Sequence, residues 1–278
     1  VARWREALFA QRLVLLGASN LTLGLPLVID LAHAACGGAV DVFTAQGLGR
    51  SYGMTSNVLG RTLSGILQSN LWAAIADRPP IPTAALVTDI GNDILYHVDP
   101  ATIEAWVEQC IERLKPLAES IGMTTLPVCN IEGLGRKRFY FLRTLCFPSC
   151  RLSLTQVVDR AYALNERIAA LAKRTRVCTI DPQADWYGFD PIHVTPRQWR
   201  VAWPIILEAL LCSARESVAK AESKRSPPRP GVVQTFLDIL RSGLWMFRPN
   251  DCRRLFGIEL HARQPAAQLA DGTQVSFY

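Results

Sequence analysis

The chain of 278 residues is long enough for one α/β domain with an appendage, or for two domains. With 49% hydrophobic and 19% charged residues it carries the material of a large core, which excludes a disordered chain. Residues 216–278 hold nine Lys/Arg against six Asp/Glu and residues 1–215 hold 21 against 18; in a net charge of +6 so interspersed there is no case for a nucleic-acid partner.

The eight cysteines are Cys36, Cys110, Cys129, Cys146, Cys150, Cys178, Cys212 and Cys252. None forms a C-x-x-C pair, and most lie in apolar runs, so they read as buried, reduced thiols of a cytoplasmic protein. Cys146 and Cys150 stand four apart but lack the His/Cys set of a metal site. No stretch reaches the ~18–20 apolar residues of a membrane span, so no integral membrane segment is expected. The basic opening Val1 to Arg5 is not followed by a small-residue cleavage site.

In chain order, Leu13 to Leu16 is an unbroken apolar run, the pattern of a parallel strand covered on both faces. Gly17 permits a sharp exit, and Ser19 stands at the head of a helix carrying Leu21, Leu25, Val28, Ile29, Leu31 and Ala32 at helical spacing. Gly37-Gly38 end that helix. Ala39 to Thr44 is a second strand that runs into a Gly-rich loop, Gln46 to Gly53, before a helix expected from about Ser56 to Ala76. Thr83 to Ile90 is a third strand, closing on Asp89-Ile90-Gly91-Asn92-Asp93, and Pro100 opens an amphipathic helix through Leu114. Met123 to Ile131 reads as a fourth strand. A long loop with Arg136-Lys137-Arg138, Arg143 and Phe139-Tyr140-Phe141 follows, read as a solvated segment, with contact to an anionic substrate group or nucleic acid as the alternative; if functional, its place after strand four sets it beside Ser19 and suits an acidic or phosphorylated ester. Ser153 caps a helix to about Lys173, Arg176 to Ile180 is a fifth strand, and the loop Asp181 to Pro196 leads into a helix through Leu210.

Five strands alternating with helices predict a parallel sheet with helices on both faces. That body, residues 1–217, is expected to have a complete core by about Leu211. Residues 218–231 form a Pro-rich, basic linker. Residues 232–278 are a C-terminal extension with one amphipathic helix and a short last strand, whose apolar residues must bury against the body or a second subunit. A homo-oligomer through this extension is one expectation, and solubility of the body without it is another.

Ligands in such a sheet bind outside the carboxyl ends of the strands, where polar and Gly residues gather here. Ser19 follows strand one, Gly47 and Gly49 follow strand two, Asn92 follows strand three, and Asp190 and His193 follow strand five. Together these residues fit acyl transfer. Ser19 is the candidate nucleophile, His193 the general base, and Asp190, three residues earlier, the group that orients the imidazole. The N–H groups of Ser19 and Gly49 with the Asn92 amide can converge on an oxyanion. No metal or organic cofactor is required.

The order Gly-x-Ser, a Gly-rich second loop, Gly-Asn-Asp and Asp-x-x-His resembles the SGNH (GDSL-type) hydrolases over residues 12–215. The resemblance implies a three-layer α/β/α, flavodoxin-like fold with a five-stranded parallel sheet. It also implies esterase, lipase or acetylesterase activity on a small-molecule ester. By it, Ser19 is the nucleophile, Asp190 and His193 its partners, and Gly49 and Asn92 the oxyanion donors, with Gly47 the alternative to Gly49. Two departures stand out: Ala18 where the family usually has Asp, and Ile90 where it usually has Gly.

The same Ser serves an acyltransferase equally well, and Ala18 and Ile90 suit a binding relative that has lost turnover. A dinucleotide-dependent oxidoreductase is the remote rival. Ser19 and Leu21 fill positions where the glycine motif needs Gly, and no Tyr is followed four residues later by Lys. His33, His97 and His261 lack partners at metal-ligand spacing. Trp245, Phe247 and Phe256 with Arg248, Arg253 and Arg254 read as packing on the body or a partner rather than on a membrane surface.

Overall fold

A computed structural model describes residues 9–58, 60–215 and 231–278. The first strand, β1 (Gln11–Leu16), has every residue from Leu13 to Leu16 fully buried. Its side chains alternate between two cores. Leu13 and Leu15 join α1 (Ser19–Cys36) and α8 (Trp199–Arg215), while Val14 and Leu16 join α4 (Pro100–Leu114) and α7 (Leu154–Thr175). A strand apolar at every position is therefore what a layer between two helical layers demands.

β1 lies parallel to β2 (Val40–Ala45) on one side and to β5 (Thr83–Val87) on the other, with Leu13 opposite Val42 and Ala84. β6 (Ser120–Thr124) and β7 (Cys178–Ile180) continue the parallel sheet. Within the body the order is β2-β1-β5-β6-β7, the doubly wound arrangement whose direction of growth reverses beside β1. The chain is thus a three-layer α/β/α protein, and Ser19 leaves β1 at the switch point.

The sheet has seven strands rather than five. β11 (Gln274–Phe277) pairs parallel with β2, and β10 (Ala267–Gln268) pairs antiparallel with β11. Val275 and Phe277 are fully buried, and the Tyr278 ring stacks on Phe43 with centroids 5.8 Å apart. The core is therefore not complete at Leu211. The sequence around Val275 announces a strand, but nothing local tells that its partner lies more than two hundred residues earlier. Nearly all of the linker expected over 218–231 lies outside the described residues, as does Cys212 apart from its place in α8.

The helix expected over Ser56–Ala76 is instead β3 (Ser56–Val58), β4 (Arg61–Leu63), a 3-10 turn at Ile66–Gln68 and a short α2 (Leu71–Ala76). Gly60 turns the hairpin in the left-handed region (φ 75°), which a helix cannot pass through. β4 then pairs with β8 (Cys252–Leu255), and β8 with β9 (Ile258–His261), so the extension completes a second, antiparallel sheet. The fourth strand begins and ends earlier than expected, because Thr125 leaves the sheet and Pro127 opens α5 (Val128–Glu132). The segment read as a basic loop is helix α6 (Arg136–Cys146), on which Phe139, Leu142 and Cys146 share one face.

α1 is long and apolar enough to cross a membrane, but 56% of that stretch is buried and it packs against α8 and α9 (Val232–Met246). α9 turns its polar side inward. Asp238 is paired with Arg200 at 2.7 Å, Arg241 with Asp30, and the Ser242 hydroxyl donates to the Leu23 carbonyl. Among the described cysteines all are free thiols, and Cys129 is exposed rather than buried.

Phe277 fills the core beneath α9, its ring 6.2 Å from Trp245. Phe277→Ala is expected to cost about 3–5 kcal/mol, the range for emptying a buried aromatic site. A urea midpoint unchanged in that variant would show that the body's core is independent of the extension, as would a stable, soluble chain ending near Ser217.

Candidate active site

Ser19 is the first residue of α1 and only 6% exposed. Its Oγ lies 2.7 Å from His193 Nε2, and His193 Nδ1 lies 2.6 Å from Asp190 Oδ2. The other Asp190 oxygen accepts from the backbone N–H groups of Ile192 (3.0 Å) and His193 (3.3 Å), which folds the loop back on itself and aims the imidazole. With Nδ1–H donating to the carboxylate, Nε2 is left to accept from the Ser19 hydroxyl.

The electrostatics follow the geometry. Burial alone would hold the His193 pKa down, but the hydrogen bond and charge of Asp190, with Asp89 behind it, outweigh burial and raise it above the ordinary 6.5. Burial pushes Asp190 up, yet the imidazole and the two loop N–H groups overcome it and hold the carboxyl below the ordinary range.

Two residues that sequence reasoning passed over hold this arrangement together. Asp89, with a left-handed backbone (φ 59°), places its carboxylate at the head of α1. There it accepts from the backbone N–H groups of Ala18 (2.8 Å) and Leu21 (3.1 Å) and from the Asn20 amide (2.8 Å). Asn20 in turn donates to the Ile192 carbonyl and accepts from the Val194 N–H, both at 2.8 Å, bracketing His193. Asn20 follows Ser19 directly and Asp89 lies in the Asp-Ile-Gly-Asn-Asp run, so adjacency was a signal. The carboxylate absent at position 18 is supplied to this helix end by Asp89.

Ser19, Ile90, Asn92 and Asp190 line one cavity of about 130 Å³. The Asn92 amide nitrogen is buried there without a hydrogen-bond partner, the state of a donor reserved for a ligand. Gly47 and Gly49 are not among the lining residues. Gly49 sits at φ 62°, its carbonyl held by the Tyr96 hydroxyl at 2.6 Å, and a side chain there would strike Val58. Gly47 packs on Leu63. Apolar walls come from α5, α6, α7 and the turns beside α6: Ile131, Leu134, Phe139, Leu142, Phe147 and Val157.

His33 and His261 meet Asp271 and Glu259, and His97 accepts from the Arg151 N–H. Among the described residues, Cys252, Glu259 and His261 form the one group of three whose ligand atoms all lie within 4.8 Å of one another, on the β8–β9 hairpin. A metal would find three donors of different chemistry there, a grouping that is legible only once β8 is paired with β9.

By sequence, no protein-family model and no curated protein matches the chain. Among solved structures it is similar to an inhibitor-bound aryl esterase of M. smegmatis, with 15% identity and a TM-score of 0.47 over 75% of this chain and 100% of that one. It is similar also to a carbohydrate acetylesterase from Sinorhizobium meliloti (14%, TM-score 0.46, 74% and 98% covered). A GDSL-like lipase from Bacteroides thetaiotaomicron gives 14% and 0.44, with 75% and 89% covered. At this distance the chemistry has to be read from this chain's own side chains.

Asn20→Ala should free the loop around His193 while leaving the core intact. The turnover of a soluble p-nitrophenyl ester is expected to fall roughly 10²-fold, the scale of a catalytic group displaced by about an ångström. A melting temperature close to that of the parent would accompany it. Unchanged turnover would mean that Asp190 alone positions the imidazole.

Proposed function

We propose that the protein is a serine hydrolase of the SGNH type that cleaves a carboxylic ester through an acyl-Ser19 intermediate. One observation carries the reading: the continuous Ser19–His193–Asp190 hydrogen-bond chain opens on a cavity that also holds an unpartnered amide, that of Asn92.

In the proposed reaction Ser19 Oγ attacks the ester carbonyl as its proton passes to His193 Nε2. The imidazolium formed is stabilised by Asp190. The tetrahedral oxyanion is met by the Asn92 amide and by backbone N–H at the head of α1, with Gly49 the second-loop donor that the resemblance implies. Collapse expels the alcohol, which takes the proton from His193. Water then attacks the acyl carbonyl as His193 Nε2 takes its proton, and collapse of the second tetrahedral intermediate breaks the bond to Ser19 Oγ, which recovers that proton from His193 as the acid leaves. Nothing in this sequence needs a metal.

Three measurements test it. A fluorophosphonate should label Ser19, and Ser19→Ala should abolish both labelling and ester hydrolysis with little change in melting temperature. Asn92→Ala should lower kcat by about 10²–10³, the effect of one oxyanion donor. Full activity in either variant would end this reading.

The pH dependence has a definite sign. His193 must be neutral to accept the proton, so kcat/KM should fall as pH drops through a pKa above 6.5. Asp190→Asn removes the main influence that raises this pKa and leaves the burial that lowers it. The acid limb should therefore move to lower pH while the plateau rate drops. An acid limb that stays in place would dissociate Asp190 from the titrating group.

A further inference from the structure

The face of α6 turned away from the cavity is what the proposed chemistry leaves unexplained. Between Gly133 and Arg151 the chain has five cations, Arg136, Lys137, Arg138, Arg143 and Arg151, and no Asp or Glu. No ion pair involves any of the five among the described residues. Three of the cations occupy the first turn of α6, where the helix end is itself positive and no side chain caps it. Such a placement opposes helix formation. Arg138 is offset within the fold by its hydrogen bonds to the Gly188 and Phe189 carbonyls, whereas among the described residues Arg136 and Lys137 have no such compensation.

The same helix is amphipathic in an unusual sense. Phe139 is its only buried residue, and Phe139, Leu142, Arg143 and Cys146 wall the Ser19 cavity. On the other side Lys137, Phe141 and Leu145 follow one another at i, i+4 and i+8, beside Arg136 and Tyr140. Phe141 is 59% exposed and Leu145 68%. Across from them Phe189, next to Asp190 in sequence and 63% exposed, is covered by the Arg138 guanidinium at 4.8 Å. Arg138 and Arg143 are engaged within the fold, donating to the carbonyls of Phe189 and Gly188 and of Leu152, which leaves Arg136 and Lys137, among the described residues, as the exposed cations without a carboxylate partner beside Phe141 and Leu145. Exposed aromatic and aliphatic side chains flanked by such cations are what a helix lying in a lipid headgroup layer requires.

We propose that α6 and Phe189 form an interfacial docking surface for an anionic phospholipid layer, so that the substrate is a lipid ester passed from that layer into the cavity under α6. The inference rests on the esterase reading for its substrate, but the docking does not. Phe141 and Leu145 enter the acyl boundary, Arg136 and Lys137 meet lipid phosphates, and the opposite face of the helix receives the acyl chain. The cavity admits on the order of ten water-sized groups, which suits an acyl chain rather than an acetyl group.

Binding and turnover can be measured apart. Ser19→Ala protein is sedimented with vesicles of equal parts phosphatidylglycerol and phosphatidylcholine, and with phosphatidylcholine alone, at low and high salt. The expectation is strong partition onto the anionic vesicles only, weakened by salt. Arg136→Gln with Lys137→Gln should lower that partition about thirtyfold, from the contribution of each cation near an anionic surface. Phe141→Ser with Leu145→Ser should lower it also. In the parent background both pairs should leave hydrolysis of a soluble p-nitrophenyl ester unchanged, because none of the four lines the cavity.

Equal partition of parent and charge variant would overturn the proposal, as would failure of the parent to bind anionic vesicles at low salt. A lipid-free dimer that Phe141→Ser with Leu145→Ser dissolves would assign this face to a second copy of the chain instead. If vesicle binding holds while Ser19→Ala retains soluble-ester hydrolysis, the docking surface stands and the esterase reading fails.

Discussion

The Asp89 carboxylate is the interaction on which the rest of the site depends. A non-glycine residue in the left-handed region carries a cost of order 1–3 kcal/mol, and Asp89 bears it at the turn after β5. What offsets that cost is a helix end. Two backbone N–H groups at the start of α1 and the Asn20 amide all donate to this one carboxylate. A negative group at the positive end of a helix is favourable in its own right. Because the helix end and the turn hold one another, the backbone at Ser19 is fixed from outside its own strand. Asn20 then extends the grip to the loop carrying His193, so two segments 174 residues apart in sequence share one clamp.

The neighbouring run carries the clamp further. Asn92 leaves its amide free in the cavity, and Asp93, one residue on, accepts from the Tyr52 N–H at 2.9 Å. Burial pushes the Asp93 carboxyl up to about 6. Five residues after β5 thus hold the head of α1, present a donor to the cavity and tether the Gly-rich loop after β2. That loop is also held from the far end of the chain. Arg50, fully buried, donates to the carbonyls of Ser64, Gln46 and Tyr278. The C-terminal extension therefore does more than widen the sheet, since its last residue fixes the loop that contains Gly47 and Gly49.

What the sequence made legible follows from the range of the forces involved. β1, α1, α4 and α7 were readable because their patterns are local: an apolar run, helical spacing, Pro100 after Asp99, and the Ser153 capping box. Ser19, Asp190, His193 and Asn92 were readable because a parallel sheet collects its chemistry at one end. The hairpin at Gly60 and the pairing of β11 with β2 were not, since strand partners are chosen across the chain and leave little local trace. Asp89 and Asn20 escaped for another reason. Each looks like an ordinary polar residue near a helix end, and only the folded geometry shows that one amide spans three segments. α6 was read as a loop because its charges and aromatics conceal a face that becomes apolar only where it meets the cavity.

The walls of that cavity divide along the same line. Near the sheet, Ser19, Asn20, Asp89 and His193 are polar and each is held by a partner from another segment, which fixes position at the expense of freedom. Farther out, the walls are apolar side chains from α5, α6 and α7, elements joined by short turns and tied to one another mostly by packing. Packing of this kind tolerates exchange of one hydrophobic residue for another far better than the polar clamp tolerates any exchange. The polar groups are thus tied to the β1–α1 junction and the 89–93 turn, while the shape of the apolar part of the cavity is left to the packing of α5, α6 and α7. Ile90 sits where the two regimes meet, 2% exposed and lining the cavity beside Asn92. A branched side chain there adds apolar wall next to the unpartnered Asn92 amide, so a group bound to that amide meets hydrocarbon rather than backbone. Ile90 thus carries the apolar wall up to the polar end of the cavity, and the two regimes meet at a single side chain.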